Sequence, residues 1–273
     1  MQYDPIKRTL GALFGRLPVM RQLFYNLLDL LLLRAWYIKR EIKKWRKTAP
    51  RNAMILDAGA GFGQYSYFMH KLSKQWIIAS IDLKAEQVDD CNRFFSQVGA
   101  ASQVRFEVGD LLIFCNNNAY DLILSVDVME HILEDTVVFQ NFYHSLKDGG
   151  VLLISTPSDQ GGSDAHDEHD ASFLDEHVRN GYNKQDISDK LRNAGFSNID
   201  VQYSYGKPGN LSWRLSMKYP ITMLNKSKLF FIVLPVYYLV VYPLCFVLNY
   251  IDVTTTHQTG TGLIVKATKN ILK

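Results

Sequence analysis

The stretch Met54-Ile55-Leu56-Asp57-Ala58-Gly59-Ala60-Gly61-Phe62-Gly63-Gln64 decides the fold. A short apolar run ends in an acid and opens at once into alternate glycines, which reads as a buried parallel strand breaking into a tight turn. A helix is predicted to follow, from about Gln64 to Lys74. Without a Cβ the backbone can bend sharply and come close to a ligand, with a helix amino terminus behind it. A nucleoside cofactor suits that arrangement. A dinucleotide fingerprint would place a third glycine three residues after the second, and Gln64 stands there instead. A plain strand-turn-helix of some other α/β domain gives the same local pattern, so the rest of the chain has to decide.

Strands and helices alternate from here on. Further strands are predicted at Trp76 to Ile81, Val104 to Val108, Asp121 to Val126 and Val151 to Ser155, with helices from Ala85 to Gln97 and from Glu134 to Leu146. Such alternation predicts a doubly wound, mostly parallel sheet with helices on both faces and ligands gathered at the carboxyl ends of the strands. Acids stand at those ends. Asp82, 25 residues beyond Asp57, closes the second strand, where a carboxylate can accept both hydrogen bonds of a ribose diol. Asp110 closes the third, placed to accept from an adenine amino group. Each aspartate alone is as well explained as a helix cap or turn residue. Three in order with the glycine loop form a constellation.

The acid before the loop and the Gly-x-Gly-x-Gly spacing resemble the first motif of class I S-adenosylmethionine (SAM) methyltransferases. Val126-Asp127-Val128-Met129-Glu130-His131-Ile132 is similar to the Glu-His segment of the small-molecule members, including the ubiquinone-pathway O-methyltransferases. Leu146-Lys147-Asp148-Gly149-Gly150-Val151-Leu152 resembles their approach to the fifth strand. The likeness runs from about Ile55 to Pro157 and loosely beyond. It implies a Rossmann-like sheet of seven strands with the last antiparallel, and SAM as methyl donor. By the same resemblance Asp57, Gly59, Gly61 and Gly63 surround the methionine end, Asp82 with Leu83 holds the ribose, and Asp110 with Leu111 holds the adenine. Ser125, Val126 and Asp127 border the sulfonium.

Charge is unevenly spread. Residues 1–51 hold 12 Lys/Arg against Asp4, Asp29 and Glu41, a balance of +9, and the whole chain carries only +3. Leu23, Leu27, Leu28, Leu31 and Leu32 recur at helical spacing. Trp36, Ile42 and Trp45 continue that face among Arg34, Lys39, Arg40, Lys43, Lys44, Arg46 and Lys47. Two helical pieces are expected within 1–50, separated around Leu17-Pro18, with the second a basic amphipathic helix. It can cap the core or lie on an anionic membrane surface. No nucleic-acid module accompanies it. Cys91, Cys115 and Cys245 form no metal pattern and, being odd in number, no disulfide framework, which predicts a reducing, cytoplasmic compartment. No signal peptide is expected, since the apolar run from Leu23 to Leu33 contains Asn26 and Asp29.

Residues 51–205 are expected to be the cofactor-binding core, with residues 158–182 as a lid over its mouth. Its His166-Asp167-Glu168-His169-Asp170 and Glu176-His177-Val178-Arg179 suit proton transfer near neutral pH. A divalent metal is possible there but not favoured, since the spacing fits no standard zinc motif. A helix from Asn183 to Gly195 leads to a sixth strand, Ile199 to Tyr203, and a seventh, Gly262 to Ala267, lies within residues 261–273. Residues 206–260 lie between them and hold an uncharged run of 20 residues, Leu229 to Leu248, broken by Pro235 and Pro243. Straight, such a run measures about 30 Å, enough to cross a bilayer. With both flanking strands in one sheet the chain must return, as a proline-broken hairpin in one leaflet or as a helical pair buried in protein.

These readings combine into a SAM-dependent methyltransferase that O-methylates an apolar or lipid-like acceptor at a membrane face. His131 is the first candidate base and His177 the second, with Glu130 and Arg179 orienting the acceptor. A nicotinamide-dependent Rossmann oxidoreductase and a non-catalytic, membrane-associated SAM-fold protein are the alternatives.

Overall fold

The computed structural model describes residues 17–161, 178–227 and 229–270. Two helices, α1 (Pro18–Leu31) and α2 (Leu33–Trp45), precede β1 (Met54–Ala58), α3 (Gln64–Leu72), β2 (Ile77–Asp82), α4 (Ala85–Gln97), β3 (Val104–Val108) and β4 (Tyr120–Val126). Then come α5 (Asp135–Ser145), β5 (Leu146–Pro157), α6 (Lys184–Asn193) and β6 (Ser197–Ser204). Two short helices, α7 (Lys207–Trp213) and α8 (Tyr219–Lys226), are followed by the long α9 (Phe230–Thr254) and by β7 (Gly262–Thr268). All seven strands join one sheet in the order β3-β2-β1-β4-β5-β7-β6. The pairings from β3 through β5 are parallel, whereas β7 runs antiparallel to both β5 and β6. The expected architecture is present, with its apolar insertion directly before the last strand.

Strand order reverses at β1, between β2 and β4, which opens a crevice at the carboxyl ends of β1 and β4. Near-continuous apolar strands bury both faces of the sheet. Ile55, Ile78, Leu122 and Leu124 pack toward α2, α3 and α4, while Leu56, Ile123, Leu152 and Ile154 pack toward α5 and α6. Asn183 caps α6 by accepting from the Gln185 N–H at 2.8 Å. The fifth strand is longer than expected, starting at Leu146. A Cβ on Gly150 would stand 2.7 Å from the Lys147 carbonyl, so the strand can begin early only because glycine is there.

Two features depart from the expectation. The N-terminal segment breaks at Leu32, whose φ of −94° and ψ of 106° interrupt the helix and bury both Leu32 and Leu33. The apolar run also does not fold back on itself. Both prolines lie inside the continuous helix α9, and the returning arm is the preceding segment, α7 through α8. Pro220 offers no N–H to the carbonyl one turn earlier, and a wide turn at Arg214–Lys218 results. Tyrosines of the facing arm take up the freed carbonyls, with Tyr237 donating to Leu215 O at 2.8 Å and Tyr238 to Ser216 O at 2.7 Å. The outer side of α9 is bare. Leu239 is 78 % exposed and Val240 71 %, and the helix is long and apolar enough to cross a membrane by length and composition.

The hairpin is anchored at its root by Asp252, which is fully buried. It accepts from the Tyr37 hydroxyl at 2.8 Å and from the Gly209 N–H at 2.9 Å, and lies 3.1 Å from His257 Nε2. One carboxylate thus joins α2, α7 and α9.

Candidate active site

The glycine loop leaves β1 with Gly59, Gly61 and Gly63 all at positive φ. A Cβ on Gly59 would lie 2.3 Å from a Val128 methyl, and one on Gly63 2.8 Å from the Phe106 ring. At Gly61 it would meet nothing within 4 Å. Gly59 and Gly63 therefore let the loop pack against its neighbours, and Gly61 presents bare backbone to an open cradle. The Gly59 and Ala60 N–H groups donate to Ile81 O at 2.8 and 3.0 Å, which fastens the loop to the end of β2.

Asp57 lies beneath this cradle. It is buried, and its carboxylate accepts from Ser66 Oγ at 2.5 Å, which in turn lies 2.9 Å from Ser80 Oγ. Burial pushes its pKa up to about 6 against the pull of Ser66. The carboxylate ties β1, α3 and β2 together under the loop that is expected to surround the methionine end. Asp82 does face the loop, accepting from the Gly61 N–H at 2.8 Å and, with its other oxygen, from the Lys84 N–H at 3.0 Å. A carboxylate has about four acceptor directions, so two remain for a diol. Leu83 beside it is strongly exposed. Asp110 caps the turn after β3, accepting from the Leu112 N–H at 2.9 Å with one oxygen, while Leu111 is buried in the core below.

At the end of β4, Ser125 is fully buried and its hydroxyl has no hydrogen-bond partner among the described residues. Val126 is half-buried, and Asp127 adopts a φ of 52°, in the left-handed region that aspartate tolerates better than most residues. The Asp127 carboxylate is ion-paired with Arg34 of α2. The Arg34 N–H donates to the Tyr205 hydroxyl at 3.0 Å, and the buried Tyr65 hydroxyl nearby has no partner among the described residues. Arg34, Tyr65 and Tyr205 were not among the expected site residues. Arg34 looks in sequence like the other cations of its helix, although it alone interrupts the run Leu30-Leu31-Leu32-Leu33 before Ala35-Trp36.

The N-terminal helices cover this region. Arg21 donates to Phe62 O at 2.9 Å and Tyr25 donates to the same carbonyl, between Gly61 and Gly63. Gln64 at the start of α3 donates to Asp29 at 2.7 Å. Arg21, Lys39 and Arg40 are spent on Asp90, Asp29 and Val253 O. Of the 12 cations of 1–51, Arg21 and Arg34 pair with acids beyond it, Asp90 and Asp127.

A short turn, Met129–His131, follows Asp127 and sends two adjacent side chains apart. His131 is exposed. Glu130 is only 1 % exposed and accepts from Thr156 Oγ1 at 3.1 Å. Burial, and after it the charge of Asp127, pushes Glu130 up to about 8. The Arg179 guanidinium pairs with Asp135, donates to Ile132 O and to Leu133 O at 3.1 Å, and lies over the Tyr182 ring, so it holds the turn after β4, while its Nε has no partner among the described residues. His177 and the other histidines and acids of 162–177 lie outside the described residues. Among the described residues no group of three or more His, Cys, Asp or Glu could hold a metal ion.

The open cradle at Gly61, the remaining acceptor directions of Asp82 and the orphaned hydroxyls of Ser125 and Tyr65 fit a nucleoside cofactor lying across the carboxyl ends of β1, β2 and β4. Residues 27–201 match a family model described as a methyltransferase domain. A ubiquinone biosynthesis O-methyltransferase of Xanthomonas axonopodis pv. citri (strain 306) is 26 % identical over 182 residues, covering 64 % of this chain and 75 % of that one. A phosphoethanolamine N-methyltransferase of Triticum aestivum is 28 % identical over 146 residues, 53 % of this chain but only 28 % of that one, so this chain spans under a third of that relative. Haemonchus contortus phosphoethanolamine N-methyltransferase 2, solved in complex with S-adenosyl-L-methionine, superposes with a TM-score of 0.62 at 20 % identity, over 86 % of this chain and 53 % of that one. The sheet order, the glycine cradle with its strand-end acids, and a family match over most of the chain agree, and the chain belongs to the class I SAM-dependent methyltransferases.

Proposed function

We propose that this chain transfers the methyl group of SAM to an oxygen of an apolar or lipid-like small molecule at the cytoplasmic surface of a membrane. Bound SAM supplies a methyl group activated by a sulfonium charge. The chain's own part is to align donor and acceptor and to take up a proton. Asp82 accepts from the ribose hydroxyls and Asp110 from the adenine. Arg34, drawn from its pair with Asp127, serves the methionine carboxylate, and Ser125, Val126 and Asp127 border the sulfonium. Where the acceptor is a hydroxyl, an imidazole nitrogen of His131 would take up its proton. His177 is the second candidate for that proton.

The observation that carries the apolar acceptor is the bare outer face of α9, which shares its root with α2, the helix that brings Arg34 to the site. A soluble enzyme for a small polar acceptor gains nothing from so much exposed apolar surface. The likeness to ubiquinone biosynthesis O-methyltransferases supports oxygen as the target. Lipid mass spectrometry of a strain lacking the protein tests the reading. A lipid one methylene lighter than in the parent strain supports it, and an unchanged lipid profile with a lighter water-soluble metabolite refutes it.

A further inference from the structure

Val19, Leu23, Leu27 and Leu30 recur at helical spacing along one side of α1, and all four are exposed. The opposite side carries the buried Arg21, Phe24 and Tyr25. The apolar side of α1 faces outward. It belongs to the same surface as α9, because Tyr242 of α9 donates to Leu30 O at 2.7 Å and Phe246 of α9 packs edge-on against Trp36 of α2 at 5.0 Å between ring centroids. Charge identifies what covers this surface. From Gly206 to Ile251 the sequence holds Lys207, Arg214, Lys218, Lys226 and Lys228 and no Asp or Glu. The hairpin thus joins one cationic arm to one uncharged apolar arm, which is complementary to an anionic headgroup layer over acyl chains. A single crossing is excluded for it, since Ser204 at its entry pairs with Gly262 at its exit.

The inner side of the same α1 closes the cofactor site through Arg21 and Tyr25 on Phe62 O, and α2 closes it through Arg34 on Asp127. Resting on the membrane reading above, we propose that the outer face of α1 and the hairpin enter one leaflet of an anionic bilayer as a single surface, and that this seating holds α1 and α2 closed over bound SAM. Membrane and cofactor then bind with positive cooperativity. Linkage requires the effect to be reciprocal, so vesicles raise SAM affinity by the same factor by which SAM raises vesicle affinity.

The test uses the full chain, titrated calorimetrically with SAM alone and with mixed phosphatidylcholine–phosphatidylglycerol vesicles, alongside vesicle pelleting with and without SAM. SAM affinity is expected to rise about fivefold or more on vesicles, the lower end of ordinary coupling, with a matching gain in pelleting. The double variant L23N/L27N alters only exposed positions. It is expected to keep the SAM affinity of the wild type in solution and to pellet through the hairpin, but to lose the gain. A chain that pellets yet binds SAM equally well with and without vesicles overturns the coupling and leaves the membrane reading standing. A variant that keeps the full gain removes α1 from the surface and overturns the proposal. A chain that stays in the supernatant, including one that self-associates through this face, overturns both.

Discussion

Arg34, on the second N-terminal helix, is ion-paired with Asp127 at the carboxyl end of β4, 93 residues later in the chain. Both side chains are about one-third exposed, so the pair is open to solvent and is not sealed in the core. An ion pair so accessible contributes little stability, about 0–1 kcal/mol, and its position over the cofactor cradle is the more telling property.

Replacing Arg34 by alanine is therefore expected to weaken SAM binding about tenfold or more, the loss of one charge-assisted hydrogen bond, with little change in thermal stability. Calorimetric titration of R34A, D127A and the double variant checks this. The two effects should be non-additive because the residues share a contact. Substituting Lys43, an exposed cation of the same helix, should leave SAM affinity unaltered.

Asp82→Ala removes both the ribose acceptor and the brace on the Gly61 N–H. A loss of SAM affinity of roughly 1–3 kcal/mol follows from leaving those donors unpaired. An unchanged dissociation constant would remove Asp82 from the site.

For His131→Ala the expected result is nearly intact SAM affinity with turnover reduced about a hundredfold, the usual contribution of a general base. A variant with normal turnover would pass the role to His177.

Glu130 gives a prediction in pH. Its ordinary pKa is 4.5 and in the fold it is raised to about 8, so between those values the folded chain holds a proton that the unfolded chain has released. Stability contributed by the protonated form is present at the acid end of that window and is lost as pH rises through it. Asp57 acts in the same direction only up to about 6. The fall in Tm above that point belongs to Glu130, and E130Q should flatten it. An identical slope in wild type and variant would contradict the assignment.

Membrane attachment should survive high salt, since the burial of the apolar faces of α1 and α9 is not screened. Placing acids on the bare side of α9, as in L239D/V240D, is expected to release the chain from vesicles in pelleting assays.

The first four strands were readable because each runs into a glycine or an acid, Gly59, Asp82, Gly109 and Asp127, and the glycine loop and Asp82 meet in the structure. What the sequence hid depends on tertiary partners. Asp57 reads in sequence as a strand-end acid, and only the approach of Ser66 and Ser80 shows the brace it forms beneath the loop. Arg179 sits in a charged and aromatic cluster, and only the fold shows that its Nη donors go to Asp135 and to two carbonyls while its Nε has no partner among the described residues. The hairpin was misjudged because residues 207–226 are too polar to read as the partner of an apolar helix. Tyr237 and Tyr238 make that partnership through backbone carbonyls that no side-chain pattern reveals.

The central claim is methyl transfer to a lipid-like acceptor, and the direct measurement is incubation of the full chain with methyl-labelled SAM and membranes from its own source, followed by partition between organic and aqueous phases. The account predicts label in the organic phase that depends on the chain and falls about a hundredfold with H131A, as loss of a general base requires. Label confined to the aqueous phase, on phosphoethanolamine or another polar amine, would contradict it.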